Sequence, residues 1–150
     1  MKQVSKGLEF LHSKEIVHRD IKPANILYDQ NGDWKISDLG FARLVDESMT
    51  PGIGSRFYSA PEQNDKDYDT RVDVYAFGVV IFEICYPTQK TEQSIWYRKL
   101  RKVPPILPDP SRRLQDYFGD EFDDLIRNMI QENREDRMKI SDIVALLHCK

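Results

Sequence analysis

Residues 70–86, TRVDVYAFGVVIFEICY, are apolar nearly all round whatever regular element they form. Val72, Val74, Val79, Val80 and Ile81 favour a strand by local propensity. The run is longer than an ordinary strand, and length decides for a helix. A helix without a polar face is stable only when other elements cover it. This one is too short to cross a membrane and carries Glu83, so the rest of the chain has to supply the cover.

Several segments qualify. Val4, Leu8 and Leu11 recur at i, i+4 and i+7, predicting an amphipathic helix over 2–13. Phe122, Leu125, Ile126, Met129 and Ile130 make a second apolar face, with Asp120 as candidate N-cap. Ser141 is placed as the cap of a final helix carrying Ile143, Leu146 and Leu147. Residues 91–102 predict another helix, stopped by Pro104 and Pro105, and PPILPDP becomes a stiff connector. ILY and WKIS flank DQNGD, where Asn31-Gly32 signals a turn, so a short β-hairpin is expected. Residues 41–69 show no sustained period and read as a long ordered loop. The predicted fold class is mainly α (α+β), one helical domain with a small hairpin near its start.

A chain of 150 residues with net charge −3 suits one domain with a real core. That charge argues against bulk electrostatic attachment to nucleic acid or anionic lipid, so no nucleic-acid or membrane partner is expected. Arg98, Lys99, Arg101 and Lys102 form a local basic run, read as a solvated helix face plus loop. Cys85 and Cys149 match no metal spacing and suit a reducing compartment. The first fifteen residues have scattered charges and no apolar signal core. The expected location is cytoplasmic, with the nucleus as an alternative.

The densest chemistry lies in HRDIKPAN, residues 18–25, followed by Asp38 across the predicted hairpin. A hairpin brings its ends together, so Asp38 can face the loop carrying Asp20 and Asn25. Converging oxygen ligands suit Mg²⁺, which takes one or two carboxylates and completes its shell with water and phosphate. With Lys22 beside it, the cluster suits phosphoryl transfer. Asp20 would orient a hydroxyl and take its proton, Lys22 would neutralise the moving phosphate, and Asn25 and Asp38 would hold metal. Taken singly, each residue is better read as part of a capped turn. The joint pattern H-R-D-x-K-x-x-N, then D-x-G, is a known phosphoryl-transfer template.

These motifs resemble the C-terminal lobe of a eukaryotic protein kinase. HRDIKPAN is similar to its catalytic loop and DLG to its metal-binding triplet. GSRFYSAPE resembles the end of the activation segment, DVYAFGVVIFEI the buried central helix, and ENREDRMKISDIVALL the terminal helical pair. The resemblance implies a kinase-like C-lobe over 1–150, with catalytic loop 18–25, activation segment 38–62 and helical subdomain 70–148. It implies ATP and Mg²⁺ as cofactors, a protein Ser/Thr hydroxyl as acceptor, and Asp20 and Lys22 as catalytic residues. Lys22, Asn25 and Asp38 would contact cofactor, with Asn25 and Asp38 on the metal. Lys22 two after Asp20 resembles the serine/threonine pattern, and the central helix and activation segment are similar to the tyrosine-kinase-like group. His18, Gly40, Asp73 and a Glu62–Arg137 pair would be structural. Arg19 would bind a phosphate on the activation segment, with Ser48 or Thr50 as the phosphosite, while Ser55 would supply a hydroxyl to the Asp20–Lys22 site.

Leu39 stands where the family has phenylalanine and is expected still to pack. Met138 stands where proline is usual. The sequence holds no glycine-rich phosphate loop, no V-A-I-K-like lysine and no helix with its glutamate partner. The expectation is a kinase catalytic half, weak alone, with an uncovered lobe interface open to an N-lobe or a partner protein. The alternative is a non-catalytic docking module.

Overall fold

The structure is a computed structural model that describes residues 1–45, 52–108 and 120–148. It opens with α1 (Lys2–Ser13), followed by β1 (Ile16–Val17), β2 (Ile26–Tyr28), β3 (Trp34–Ile36) and β4 (Arg43–Leu44). Four helices complete it: α2 (Arg71–Cys85), α3 (Lys90–Leu100), α4 (Asp120–Met129) and α5 (Ile140–His148).

The apolar run is α2, and it is buried continuously from Val72 to Phe82. Tertiary burial outweighs the strand preference of its valines. α1 packs on α5 and on β3, while α4 packs on α2. Leu8 of α1, Ile126 and Met129 of α4 and Ile143 of α5 are completely buried in the same core as Phe77 and Ile81. The α2–α4 approach requires a glycine, because a Cβ on Gly78 would lie 2.8 Å from both Met129 Cβ and Ile130 Cγ2. Glycine to alanine in an open helix gains ~1 kcal/mol. Here overpacking reverses the sign, and Gly78→Ala should lower stability by ~1–3 kcal/mol in urea denaturation.

The hairpin forms as predicted. β2 and β3 pair antiparallel with Ile26 opposite Ile36 and Tyr28 opposite Trp34. Asp29 Oδ1 accepts the Asn31 and Asp33 amides at 2.9 and 3.0 Å, and Gly32 takes the left-handed conformation (φ 86°) that the turn needs.

Four expectations need correction. Residues 41–69 are not all loop: β4 pairs antiparallel with β1, Val17 opposite Arg43, a strand too short to show a period. Ser141 does not cap α5, which already begins at Ile140; the Asp142 carboxylate accepts the Lys139 amide instead. Asp120 is the first residue of α4 and not its preceding cap. Leu39 does not pack: Asp38 has left-handed φ (61°) and starts a short 3₁₀ turn over Leu39–Phe41, leaving Leu39 55% exposed. Cys85 is buried. Cys149, Ser48 and Thr50 lie outside the described residues.

Candidate functional site

The 18–25 loop is held from beneath by α2. Asp73, in the first turn of that helix and 1% exposed, accepts the His18 amide on Oδ2 and the Arg19 amide on Oδ1, each at 2.8 Å. These bonds matter because Arg19 has φ 72°, a conformation that costs a non-glycine residue ~1–3 kcal/mol unless its surroundings fix it. His12 of α1 donates Nε2–H to the same Asp73 Oδ2 at 3.0 Å. His18 is fully buried, and its Nδ1 accepts the Asp20 amide at 3.3 Å. Nε2 therefore carries the hydrogen and donates to the Ser37 carbonyl at 2.9 Å.

Above this support, one carboxylate gathers three donors. Asp20 Oδ2 accepts Lys22 Nζ at 2.6 Å and Asn25 Nδ2 at 3.1 Å, and Oδ1 accepts the Ser55 amide at 2.9 Å. Lys22 Nζ also donates to Ser55 Oγ at 3.1 Å. Burial pushes the Asp20 carboxyl up, but hydrogen bonds from Lys22 and Ser55 outweigh it and hold the group below the ordinary carboxylate range. Asp20 is thus a fixed anion, oriented on both oxygens.

The position of Ser55 depends on Gly54. At φ 103° a Cβ there would stand 2.4 Å from the Arg19 carbonyl, so only glycine lets the 52–64 segment approach the loop this closely. Gln63, 2% exposed, fastens the same junction: Nε2 donates to the Arg19 and Ile53 carbonyls, both at 2.8 Å, while Oε1 accepts the Ala60 amide at 3.3 Å.

Asp38 reaches the neighbourhood through the hairpin. The Ser37 amide and hydroxyl both donate to the Asn25 carbonyl, at 2.9 and 3.1 Å, which sets the next residue beside Asn25. Asp38 is exposed, and its Oδ1 accepts only the Gly40 amide, at 3.2 Å, among the described residues. Asn25 gives Nδ2 to Asp20, leaving Oδ1 without a hydrogen-bond partner among them. One amide oxygen and one carboxylate are hard ligands of the kind and number that Mg²⁺ takes from protein. Among the described residues no group of three or more His, Cys, Asp or Glu could hold a metal ion. The residues present fit a magnesium bound largely by water and phosphate.

Arg19 sits with its guanidinium buried, donating Nε–H to the Phe41 carbonyl and Nη1–H to the Tyr68 hydroxyl at 3.4 Å. Glu62 and Arg137 meet as a bidentate pair, Nη1 to Oε1 at 2.5 Å and Nη2 to Oε2 at 3.1 Å.

Sequence reasoning missed His12, Gln63 and a tyrosine pair. Glu83 of α2 accepts from Tyr58 at 2.9 Å and from Tyr97 of α3, which ties residues 57–58 to the helical core. Burial, with Glu83 nearby, pushes the Tyr58 hydroxyl up to about 12 and raises Tyr97 as well. Glu83 gave a signal, since a lone carboxylate inside an apolar helix needs donors. His12 and Gln63 gave none.

The family model described as "Protein kinase domain" matches residues 1–147. A Dictyostelium discoideum protein named "Probable serine/threonine-protein kinase" is 36% identical over 148 residues, covering 97% of this chain and 10% of the relative. The cAMP-dependent protein kinase type 3 of Saccharomyces cerevisiae is 36% identical over 145 residues, covering 91% of this chain and 33% of the relative. A mitogen-activated protein kinase of Candida albicans is 44% identical over 84 residues, 55% of this chain and 22% of the relative. The chain therefore spans a third or less of each of these relatives. With the match running through the Asp20 loop and every described helix, the chain belongs to the protein kinase domain family.

Proposed function

We propose that residues 1–150 form the C-terminal lobe of a serine/threonine protein kinase of the tyrosine-kinase-like group. In this reading 18–25 is the catalytic loop, 38–62 the activation segment and 70–148 the helical subdomain, working in the cytoplasm or nucleus. The supporting observation is the Asp20 carboxylate, fixed by Lys22, Asn25 and Ser55. Asp20 aligns the acceptor Ser or Thr hydroxyl and takes its proton as phosphorus is attacked. Lys22 lies between Asp20 and Ser55, where its ammonium offsets charge building on the transferred group. ATP supplies the γ-phosphate, and Mg²⁺ neutralises its oxygens when bound. Asn25 Oδ1 and Asp38 are the residues that would hold the metal. Arg19 is the receptor for a regulatory phosphate, with Ser48 and Thr50 as the candidate sites.

Leu27, Tyr28 and Trp34 are each about half exposed on the hairpin or more, at 52%, 63% and 47%. A nucleotide-binding lobe seated there would exclude water from the Asp20 site. The same surface favours a second reading, a docking module that works without catalysis.

One comparison separates the two. Phosphate transfer to a serine peptide is measured for this chain and for Asp20→Asn, each within a full-length kinase domain. Loss of a general base should lower the rate by at least about a hundredfold. Equal rates in the two proteins would remove Asp20 from the chemistry and leave the docking reading.

A further inference from the structure

The basic run at the end of α3 does more than face solvent. Arg101 reaches across to the 52–64 segment, where Nη2 donates to the Arg56 and Ser59 carbonyls at 2.8 and 2.9 Å. It also lies against the Tyr75 hydroxyl. All of these acceptors are neutral, and Arg101 makes no ion pair among the described residues. The Arg56 side chain is exposed and makes neither a hydrogen bond nor an ion pair among them. Both arginines line one cavity of about 410 Å³, together with Gly54, Ser59, Gln63 and Asn64, and none of its described lining residues is acidic. A second groove, of about 480 Å³, continues from Arg101 along Arg98, Lys99 and Lys102.

Attraction to the helix C-terminus accounts for Arg98 and Lys99 in the last turn of α3. It does not account for Arg56, which comes from a different segment, or for Arg101 being clamped beside it. Two cations in a net-acidic protein, on a concave site whose described lining holds no carboxylate, suit an anion from outside. The place of the cavity says which one. Its wall residue Gly54 precedes Ser55, whose amide donates to Asp20 Oδ1 at 2.9 Å.

We propose that Arg56 and Arg101 form a pocket for an anionic side chain of the protein substrate, a carboxylate or a phosphate within a few residues of the acceptor hydroxyl. The proposal deepens the kinase reading and rests on it for the identity of the substrate. Arg101 is preset by its carbonyl contacts, which lowers the ordering cost of binding, while Arg56 closes on the anion from the open side. Forked guanidiniums suit the planar oxygens of a carboxylate and the oxygens of a phosphate alike.

The test reads binding, so it does not depend on catalysis. Labelled serine peptides carrying Asp, phosphoserine or Ala at each flanking position are titrated with the full chain in fluorescence anisotropy. At one position the Asp or phosphoserine peptide should bind about tenfold more tightly than its Ala counterpart, the ~1.4 kcal/mol of one charge-assisted contact. Whichever arm is stronger identifies the anion. Arg56→Gln should abolish the preference without changing binding of the Ala peptide, and Arg56→Lys should restore part of it. Arg56 is exposed, so both variants fold.

Equal binding of anionic and neutral peptides overturns the pocket, as does a preference that survives in Arg56→Gln. If the same peptides are phosphorylated without such a preference, the pocket falls and the kinase reading stands. An Arg56-dependent preference without any phosphorylation supports the pocket and counts against the kinase reading alone.

Discussion

Replacing Asp73 with alanine should lower stability by about 3–5 kcal/mol and release the 18–25 loop. Removing its carboxylate leaves the His18 and Arg19 amides buried without acceptors, at ~1–3 kcal/mol each. The same two bonds hold Arg19 at φ 72°, so the loop also loses the force that keeps an unfavourable backbone in place. Asp73→Asn keeps the shape and one acceptor oxygen but turns an N–H donor toward one of the amides, and its loss should fall between those of wild type and alanine. Urea denaturation measures the global change. Hydrogen exchange at the His18 and Arg19 amides measures the local one, and it should accelerate in both variants more than exchange in the middle of α2. Uniform acceleration across the chain would show that Asp73 supports only the core.

Arg137→Ala should be comparably damaging, at about 3–5 kcal/mol. Its side chain is fully buried, and Glu62 is 13% exposed. The guanidinium makes a bidentate contact to Glu62 and also serves the Arg71, Gln131 and Glu132 carbonyls. Alanine strands a nearly buried carboxylate and takes this donor from the Gln131 and Glu132 carbonyls. Glu62→Gln removes the countercharge but leaves the carbonyl contacts, so its cost should be clearly smaller. A double-mutant cycle over the two positions isolates the pair, and it should show coupling because the residues touch. Strict additivity would mean that Arg137 works through the carbonyls alone.

The helices were legible because their signal is local. Residues 2–13 and 122–130 carry an apolar period, and 70–86 is too long and too apolar for an ordinary strand. The hairpin announced itself through Asn31-Gly32. β4 was invisible, because a two-residue strand has no period and its pairing with β1 is a long-range event. The site divides in the same way. Asp20, Lys22 and Asn25 stand within one short segment, and their spacing marks them as a unit. Ser55 joins them only because Gly54 permits a close approach of distant backbone. Glu62 and Arg137 lie far apart in the chain, and nothing local to either residue indicates the other. Gln63 and His12 act by bonding backbone or a buried carboxylate, roles open to any polar residue and unmarked by composition. Leu39 was misplaced for a related reason: its hydrophobicity suggested burial, while the left-handed turn at Asp38 decided otherwise.

Gln63 has a consequence for how the two segments around Asp20 can separate. Its amide joins the Arg19 and Ile53 carbonyls and the Ala60 amide in one buried knot. One side chain carries all three bonds, and peeling the 52–64 segment away from the 18–25 loop would break the one to Arg19. The register between Ser55 and Asp20 thus leans on a single amide, and losing that one side chain would loosen the segment at three points at once.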